Sequence, residues 1–281
     1  MTIYLGDCVK GIRRHLGDSS VDLVCTSPPY DCVKSYRGAY QFDLYGLIEQ
    51  LYRVVKDGGV VAWNTADERT DGDYSATSHR QVLAFKEAGF RLNQTLIYQS
   101  TIRYWHRDMY GAVFQYVFIF CKGPRPITFT PILDRKNTNV GKRQRGVDRS
   151  LPDGSVQKVR STYIVQENGK RVNVWPYCPT LMGPDMRESH WQNHPAAYPL
   201  KLPYDLIYSW SKRGDLVLDP FGGSGQTCLA ATLQGRDFVA YEINWPYYIN
   251  IQRRLQWYSL PSSQEKVGRW LGRHIPYHKA V

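Results

Sequence analysis

The chain lacks several things, and each absence removes a class of protein. No apolar run approaches the ~18 residues that a membrane span needs, so no membrane partner is expected. The six cysteines, Cys8, Cys25, Cys32, Cys121, Cys178 and Cys228, include no Cys-x-x-Cys pair, and no pair of histidines stands at zinc spacing. A metal site is therefore not expected. Thiols scattered through apolar stretches fit a reducing compartment. The stretch Met1 to Asp7 has neither the charged nor the apolar region of a secretory signal, which points to a soluble, cytoplasmic protein. Aromatics, by contrast, are plentiful: 21 Tyr, 8 Trp and 9 Phe argue against disorder. With 42% hydrophobic residues in 281, there is material for one large domain, or for a domain with an insertion.

Acidic residues are also scarce. Lys and Arg number 36 against 25 Asp and Glu, a formal charge of +11. Most of the surplus has one address: residues 122–171 hold twelve Lys/Arg and four Asp/Glu. Pro124 and Pro126 open a stretch, 124–193, in which Gly, Asn, Asp, Ser and Pro recur. Read as a solvated loop, the charge is only a wet surface. Read as a nucleic-acid arm, Arg135, Lys136, Lys142, Arg143, Arg145 and Arg149 would meet phosphates or base edges. Charge alone leaves both open.

On either side of that stretch the pattern alternates between strand and helix. Ile3–Leu5, Val21–Cys25, Val60–Trp63, Leu92–Tyr98, Val113–Cys121, Leu216–Leu218 and Phe238–Tyr241 read as strands. Residues 9–16, 44–55, 79–88, 204–210, 227–233 and 247–257 read as helices. Asp57-Gly58-Gly59 is expected to stop the second of these before its strand begins. Such alternation predicts an α/β fold with a mainly parallel, doubly wound sheet.

Two strand ends carry chemistry. Leu218-Asp219 runs into Pro220-Phe221-Gly222-Gly223-Ser224-Gly225 and then a helix. Glycines admit a ligand close to the backbone, and the helix start offers free N–H groups. A phosphate loop would end in Gly-Lys-Ser/Thr, and no lysine stands here, which disfavours an NTPase. The next strand ends in Glu242, about 20 residues on, where an acid can accept from ribose hydroxyls. The other end is Thr26-Ser27-Pro28-Pro29-Tyr30. Its prolines fix the loop, Ser27 and the Pro28 carbonyl offer acceptors, and Tyr30 offers a flat ring. A third stretch, His194-Pro195-Ala196-Ala197-Tyr198-Pro199-Leu200-Lys201-Leu202-Pro203, reads by itself as a linker.

Together the three resemble the S-adenosylmethionine-dependent DNA methyltransferases that modify exocyclic amino groups. Ser27-Pro28-Pro29-Tyr30 is similar to their catalytic motif, and residues 219–225 to their Asp-Pro-Phe-x-Gly-Ser-Gly cofactor motif. The 194–203 stretch resembles the motif that precedes their first sheet strand, and Gly6-Asp7-Cys8 their N-terminal motif near the cofactor adenine. The catalytic motif comes first, which is the order of the beta group.

The resemblance implies a Rossmann-like methyltransferase fold. Residues 1–123 would be its catalytic half, 124–193 a target-recognition insertion, 194–260 its cofactor half and 261–281 a tail. It implies S-adenosyl-L-methionine as cofactor, held by Asp7, Cys8, Pro199, Lys201, Asp219, Phe221, Gly223, Ser224, Gly225, Thr227 and Glu242. Ser27, Pro28, Pro29 and Tyr30 would hold the target base. Double-stranded DNA is the implied partner, with a homodimer and a cognate restriction endonuclease as further expectations.

The chemistry agrees with these roles. The base must leave the duplex before its amino group can be methylated. Acceptors on its N–H bonds favour a pyramidal nitrogen and free the lone pair. No cysteine stands after a proline, as carbon-5 methylation of cytosine would require, so all six are expected to be dispensable. In the family, Ser at position 27 leans the target toward cytosine N4 over adenine N6. An RNA methyltransferase and a silent DNA-binding regulator are the competing readings.

Overall fold

The computed structural model describes residues 1–29, 42–106, 109–178, 183–184, 197–275 and 277. It divides into two compact units, 1–130 with 173–281, and 131–172.

The larger unit is built on a sheet. Its strands are β1 (Thr2–Leu5), β2 (Val21–Thr26), β3 (Val55–Thr65), β6 (Arg91–His106), β7 (Met109–Cys121), β14 (Val174–Tyr177), β15 (Leu216–Asp219) and β16 (Asp237–Glu242). They lie side by side as β1-β16-β15-β2-β3-β7-β6-β14. Only β7 runs against the others among them. A short ribbon, β4 (Arg69–Thr70) with β5 (Asp73–Tyr74), stands apart.

The central strands carry near-continuous apolar runs, as strands covered by helices on both faces do. Val21, Leu23, Val24 and Cys25 of β2 are all buried. Helices α1 (Cys8–His15), α2 (Leu44–Val54) and α3 (Thr77–Glu87) bring Ile12, Leu47, Ile48, Leu51 and Phe85 into one core with Trp63 and Phe120. Helices α4 (Lys201–Trp210), α5 (Gln226–Leu233), α6 (Trp245–Tyr258) and α7 (Pro261–His274) follow one another in contact. None of the described helices is long and apolar enough to cross a membrane.

Three elements differ from the sequence reading. Gly58-Gly59 does not end a helix. It lies inside β3, where the pairing with β2 shifts register between Val21 and Leu23. Gly58 has φ +75°, and a Cβ there would fall 2.3 Å from Ile127, so only glycine fits the bulge. Strands β6 and β7 run well beyond their expected limits. Residues 261–274 of the tail form α7, which buries Val267, Trp270 and Leu271.

The smaller unit is a set of two-stranded ladders: β8 (Arg135–Lys136) with β13 (Asn168–Gly169), β9 (Arg143–Arg145) with β12 (Thr162–Ile164), and β10 (Arg149–Ser150) with β11 (Val156–Gln157). It is narrower than the 124–193 segment. Ile127 packs at Gly58, the Thr130 N–H donates to the Ser209 carbonyl, and Val174–Tyr177 joins the main sheet beside β6.

Candidate active site

The two motifs meet at the carboxyl edge of the sheet. β2 and β15 are neighbours, so their last residues end side by side. The Thr26 hydroxyl donates to Asp219 Oδ1 at 2.6 Å, and the Thr227 hydroxyl donates to the Cys25 carbonyl at 3.2 Å. The Ser27-Pro28-Pro29 loop and the glycine turn are thus joined through buried bonds. Pro28 is buried, while Ser27 and Pro29 are half-buried. Tyr30, Cys32 and His194–Ala196 lie outside the described residues.

The glycine turn is tight for two reasons. Gly223 and Gly225 take positive φ, +50° and +75°, and Gly225 caps α5. A Cβ on Gly222 would also stand 2.9 Å from Ile251 of α6. The turn is then pinned: Gly222 N donates to the Tyr241 carbonyl at 2.7 Å, and Gly223 N to Glu242 Oε2 at 2.7 Å. Asn244 N donates to Glu242 Oε1 at 2.8 Å, so Glu242 braces both the turn and the start of α6. Phe221 lies edge-on to Phe42 and Trp63. Asp7 caps α1 by accepting from Lys10 N, with Cys8 buried at the first position of that helix.

Burial sets the electrostatics. Asp219 is almost fully enclosed, and its carboxyl is pushed up to about 6 against donors from Thr26 and the Phe221 N–H. Its Oδ2 is buried with no hydrogen-bond partner. Burial also raises Glu242, against donors from Asn244 and Gly223. The Cys8 thiol is pushed up to about 12, and burial also raises those of Cys25 and Cys228. These thiols stay protonated and are poor nucleophiles. Among the described residues no cluster of His, Cys, Asp or Glu could hold a metal.

Lys201 is engaged by residues other than those of the turn. The Lys201 ammonium lies against Asp205 at 2.9 and 3.0 Å, and Tyr277 OH is 3.0 Å away. From the same stretch it is Tyr198 that reaches the motifs, with its hydroxyl 2.6 Å from Thr227 Oγ1. Burial and nearby Asp219 raise that phenol well above its ordinary value.

Sequence reasoning missed two further residues. Asn64, at the end of β3, donates to Ser27 Oγ at 3.3 Å and to Gln115 Oε1 at 3.0 Å. Arg254 of α6, fully buried, donates to the Ser224 carbonyl at 2.8 Å and to Gln226 Oε1 at 2.9 Å. The strand position directly beside Thr26-Ser27 could have signalled Asn64. Arg254 stands three residues after Ile251 on the buried face of α6 and Arg253 does not, so helical spacing could have signalled it.

In the smaller unit the six basic residues fall into two groups. Arg135 donates to the Lys170 carbonyl, Lys136 pairs with Glu167 at 2.6 Å, and Arg145 holds Asp148 and the Val159 carbonyl. Lys142, Arg143 and Arg149 are exposed and have no ion-pair partner among the described residues.

Comparison with known proteins agrees with this geometry. The N6/N4 methyltransferase family model, described as DNA methylase, matches residues 21–253. The chain belongs to this family of DNA methylases. The orphan methyltransferase M.BamHII of Bacillus amyloliquefaciens is 38% identical over 250 residues, 88% of this chain and 93% of the relative. The DNA adenine methyltransferase YhdJ of Escherichia coli (strain K12) is 26% identical over 94% of this chain and 85% of its own. Among solved structures, PvuII DNA methyltransferase, cytosine-N4-specific, matches with a TM-score of 0.65 at 18% identity, over 96% of this chain and 92% of that one. The M1.HpyAVI–SAM complex matches at 0.57 and 18%, over 90% and 98%. The methylase therefore has the Rossmann-like fold that its motifs implied, and its chemistry is methylation of a DNA amino group.

Proposed function

We propose that this methylase transfers the methyl of S-adenosylmethionine to the exocyclic amino group of a flipped base, N4 of cytosine or N6 of adenine with Ser27 leaning it to cytosine, at a specific site in duplex DNA, with the 131–172 unit contacting the DNA. One observation carries the reading: the Thr26–Asp219 and Thr227–Cys25 bonds hold a base-binding loop against a cofactor turn.

The residues present fit the cofactor. The buried, unpartnered Asp219 Oδ2 suits an ammonium group, and Glu242 keeps acceptor capacity for ribose hydroxyls. Asp7 and Cys8 would border the adenine. Phe221, Gly223, Ser224, Gly225 and Thr227 would line the turn. The place beside the methionine end, assigned by resemblance to Lys201 with Pro199, goes to Tyr198 with Pro199, because Asp205 already engages the lysine. Bound there, the cofactor supplies a sulfonium methyl already activated toward nitrogen.

The chain supplies geometry. Ser27 Oγ and the Pro28 carbonyl accept from the two amino N–H bonds, and Tyr30 stacks on the flipped ring. Holding the nitrogen in line with the methyl is much of the catalysis. The buried thiols take no part.

Sequencing DNA from cells that express the chain, with detection of both modified bases, tests this. N4-methylcytosine at one short motif is expected. N6-methyladenine overturns the lean to cytosine. Tritium transfer to RNA in preference to duplex DNA overturns the substrate, and cofactor binding without any transfer restores the regulator.

A further inference from the structure

Helix α6 forms one wall of the glycine turn. A Cβ on Gly222 would stand 2.9 Å from Ile251, and one on Gly225 3.1 Å from it. Arg254 follows Ile251 by three residues, which on a helix puts it on the same face. Both side chains are fully buried. The guanidinium reaches the turn from the α6 side: Nη1 donates to the Ser224 carbonyl at 2.8 Å, and Nη2 to Gln226 Oε1 at 2.9 Å. A planar fork holds two acceptors at a fixed spacing, which a lysine ammonium does less rigidly.

The contact falls on a peptide that is held at both ends. Gly225 N donates to the Gly222 carbonyl at 2.8 Å, so the Ser224–Gly225 peptide is fixed at its N–H by Gly222 and at its carbonyl by Arg254. Gly223 and Gly225 take positive φ, which glycine permits without enforcing. That freedom has to be removed before or during binding, and removing it beforehand raises affinity. A buried guanidinium is itself a costly way to fill a core position. An apolar side chain would fill the space beside Ile251, but it would leave the Ser224 carbonyl without this donor.

We propose that Arg254 is a positioning residue: it pre-sets the Ser224–Gly225 peptide and so keeps the glycine turn in the shape that accepts the cofactor. The inference rests on the reading that this turn binds S-adenosylmethionine. Arg254 acts through the turn, so its effect falls on cofactor affinity and not on the methyl-transfer step. A role in packing alone would change stability and leave affinity untouched.

The test compares the parent with Arg254→Met, Arg254→Lys and Val267→Ala, a buried change in α7, the helix that packs on α6. Calorimetric titration with S-adenosylmethionine should show affinity about tenfold lower in Arg254→Met, the population shift expected when one hydrogen bond to a charged group is lost. At saturating cofactor, kcat should stay within about twofold. Arg254→Lys should recover part of the affinity, since an ammonium can still donate to the Ser224 carbonyl. Val267→Ala should bind as the parent does, although it and Arg254→Met both melt earlier. Hydrogen exchange at Gly225 should be faster in unliganded Arg254→Met than in the parent, and equal once cofactor saturates both. Parent-like affinity in Arg254→Met, an equal loss in Val267→Ala, or a lysine no better than methionine overturns the proposal. A parent that bound no cofactor would overturn the methylation reading instead, and exchange at Gly225 would still decide whether Arg254 holds the turn.

Discussion

Thr26 donates a hydrogen bond from its hydroxyl to Asp219 across 2.6 Å, although 193 residues separate the two in sequence. The bond closes the carboxyl ends of two neighbouring strands. It also explains why neither motif needs covalent help to stay aligned: each loop starts from a strand end fixed by the other. Asp219 accepts the Phe221 N–H with the same oxygen and leaves Oδ2 buried.

The buried carboxyl makes stability depend on pH. Its folded value, about 6, lies above the ordinary aspartate value of 3.8, so the folded state holds the proton more tightly. That contribution is complete below 3.8 and is lost as pH rises through about 6. The loss is about 3 kcal/mol. Asp219→Asn should therefore match the parent at pH 4 and melt several degrees higher at pH 8 without cofactor. Cofactor affinity should fall below pH 6 in the parent and stay weak and flat in the variant. Thermal melts and calorimetry across pH check both.

Asn64 orients Ser27. Its amide spans Ser27 Oγ and Gln115 Oε1 from a site that is 3% exposed. Asn64→Ala should lower kcat about tenfold by loosening the acceptor for the amino group. Cofactor affinity should stay within about twofold, since the glycine turn is untouched. Single-turnover methyl transfer and a cofactor titration separate the two.

Much of this was legible because strand ends are marked by breakers. Pro28-Pro29 and Gly222-Gly223 stop β2 and β15, and Glu242 stands where an acid should. What was illegible depended on distant partners. Gly58-Gly59 looks like a helix stop, yet it lies at a register shift inside β3, where a Cβ on Gly58 would meet Ile127 from far along the chain. Val174-Trp175-Pro176-Tyr177 lies inside the irregular 124–193 stretch, yet it forms an edge strand, where a proline is tolerated. Lys201 and Tyr198 sit three residues apart, and only the fold shows which one faces Thr227. The spacing of Lys201 to Asp205 was a signal in plain view, since residues four apart on a helix are neighbours.

The basic unit should bind DNA through its unengaged cations. Reversing Lys142, Arg143 and Arg149 to Glu should flatten the slope of log affinity against log salt by about 0.9 for each phosphate that is no longer neutralised. Reversing Lys136 should cost less slope, because Glu167 already engages it. Arg145→Glu should lower the melting temperature only slightly, since its contacts to Asp148 and the Val159 carbonyl are exposed. Filter binding at several salt concentrations reads the slopes. An unchanged slope in the triple variant would return the segment to solvated loop.

Lys201 is the last separable case, because two roles give opposite outcomes. If its ammonium served the cofactor, any loss of charge would weaken binding. The structure instead encloses it with Asp205, whose carboxylate also accepts from Tyr177 at 2.8 Å and from Tyr277. Removing the lysine alone, as Lys201→Met, strands a buried carboxylate and should cost about 3–5 kcal/mol. Adding Asp205→Leu removes the stranded charge, so the double variant should recover most of the melting temperature. Its cofactor affinity should equal the parent's, while Tyr198→Phe, which deletes the hydroxyl beside Thr227, should weaken binding severalfold. Weakened affinity in the recovered double variant would put Lys201 back at the cofactor.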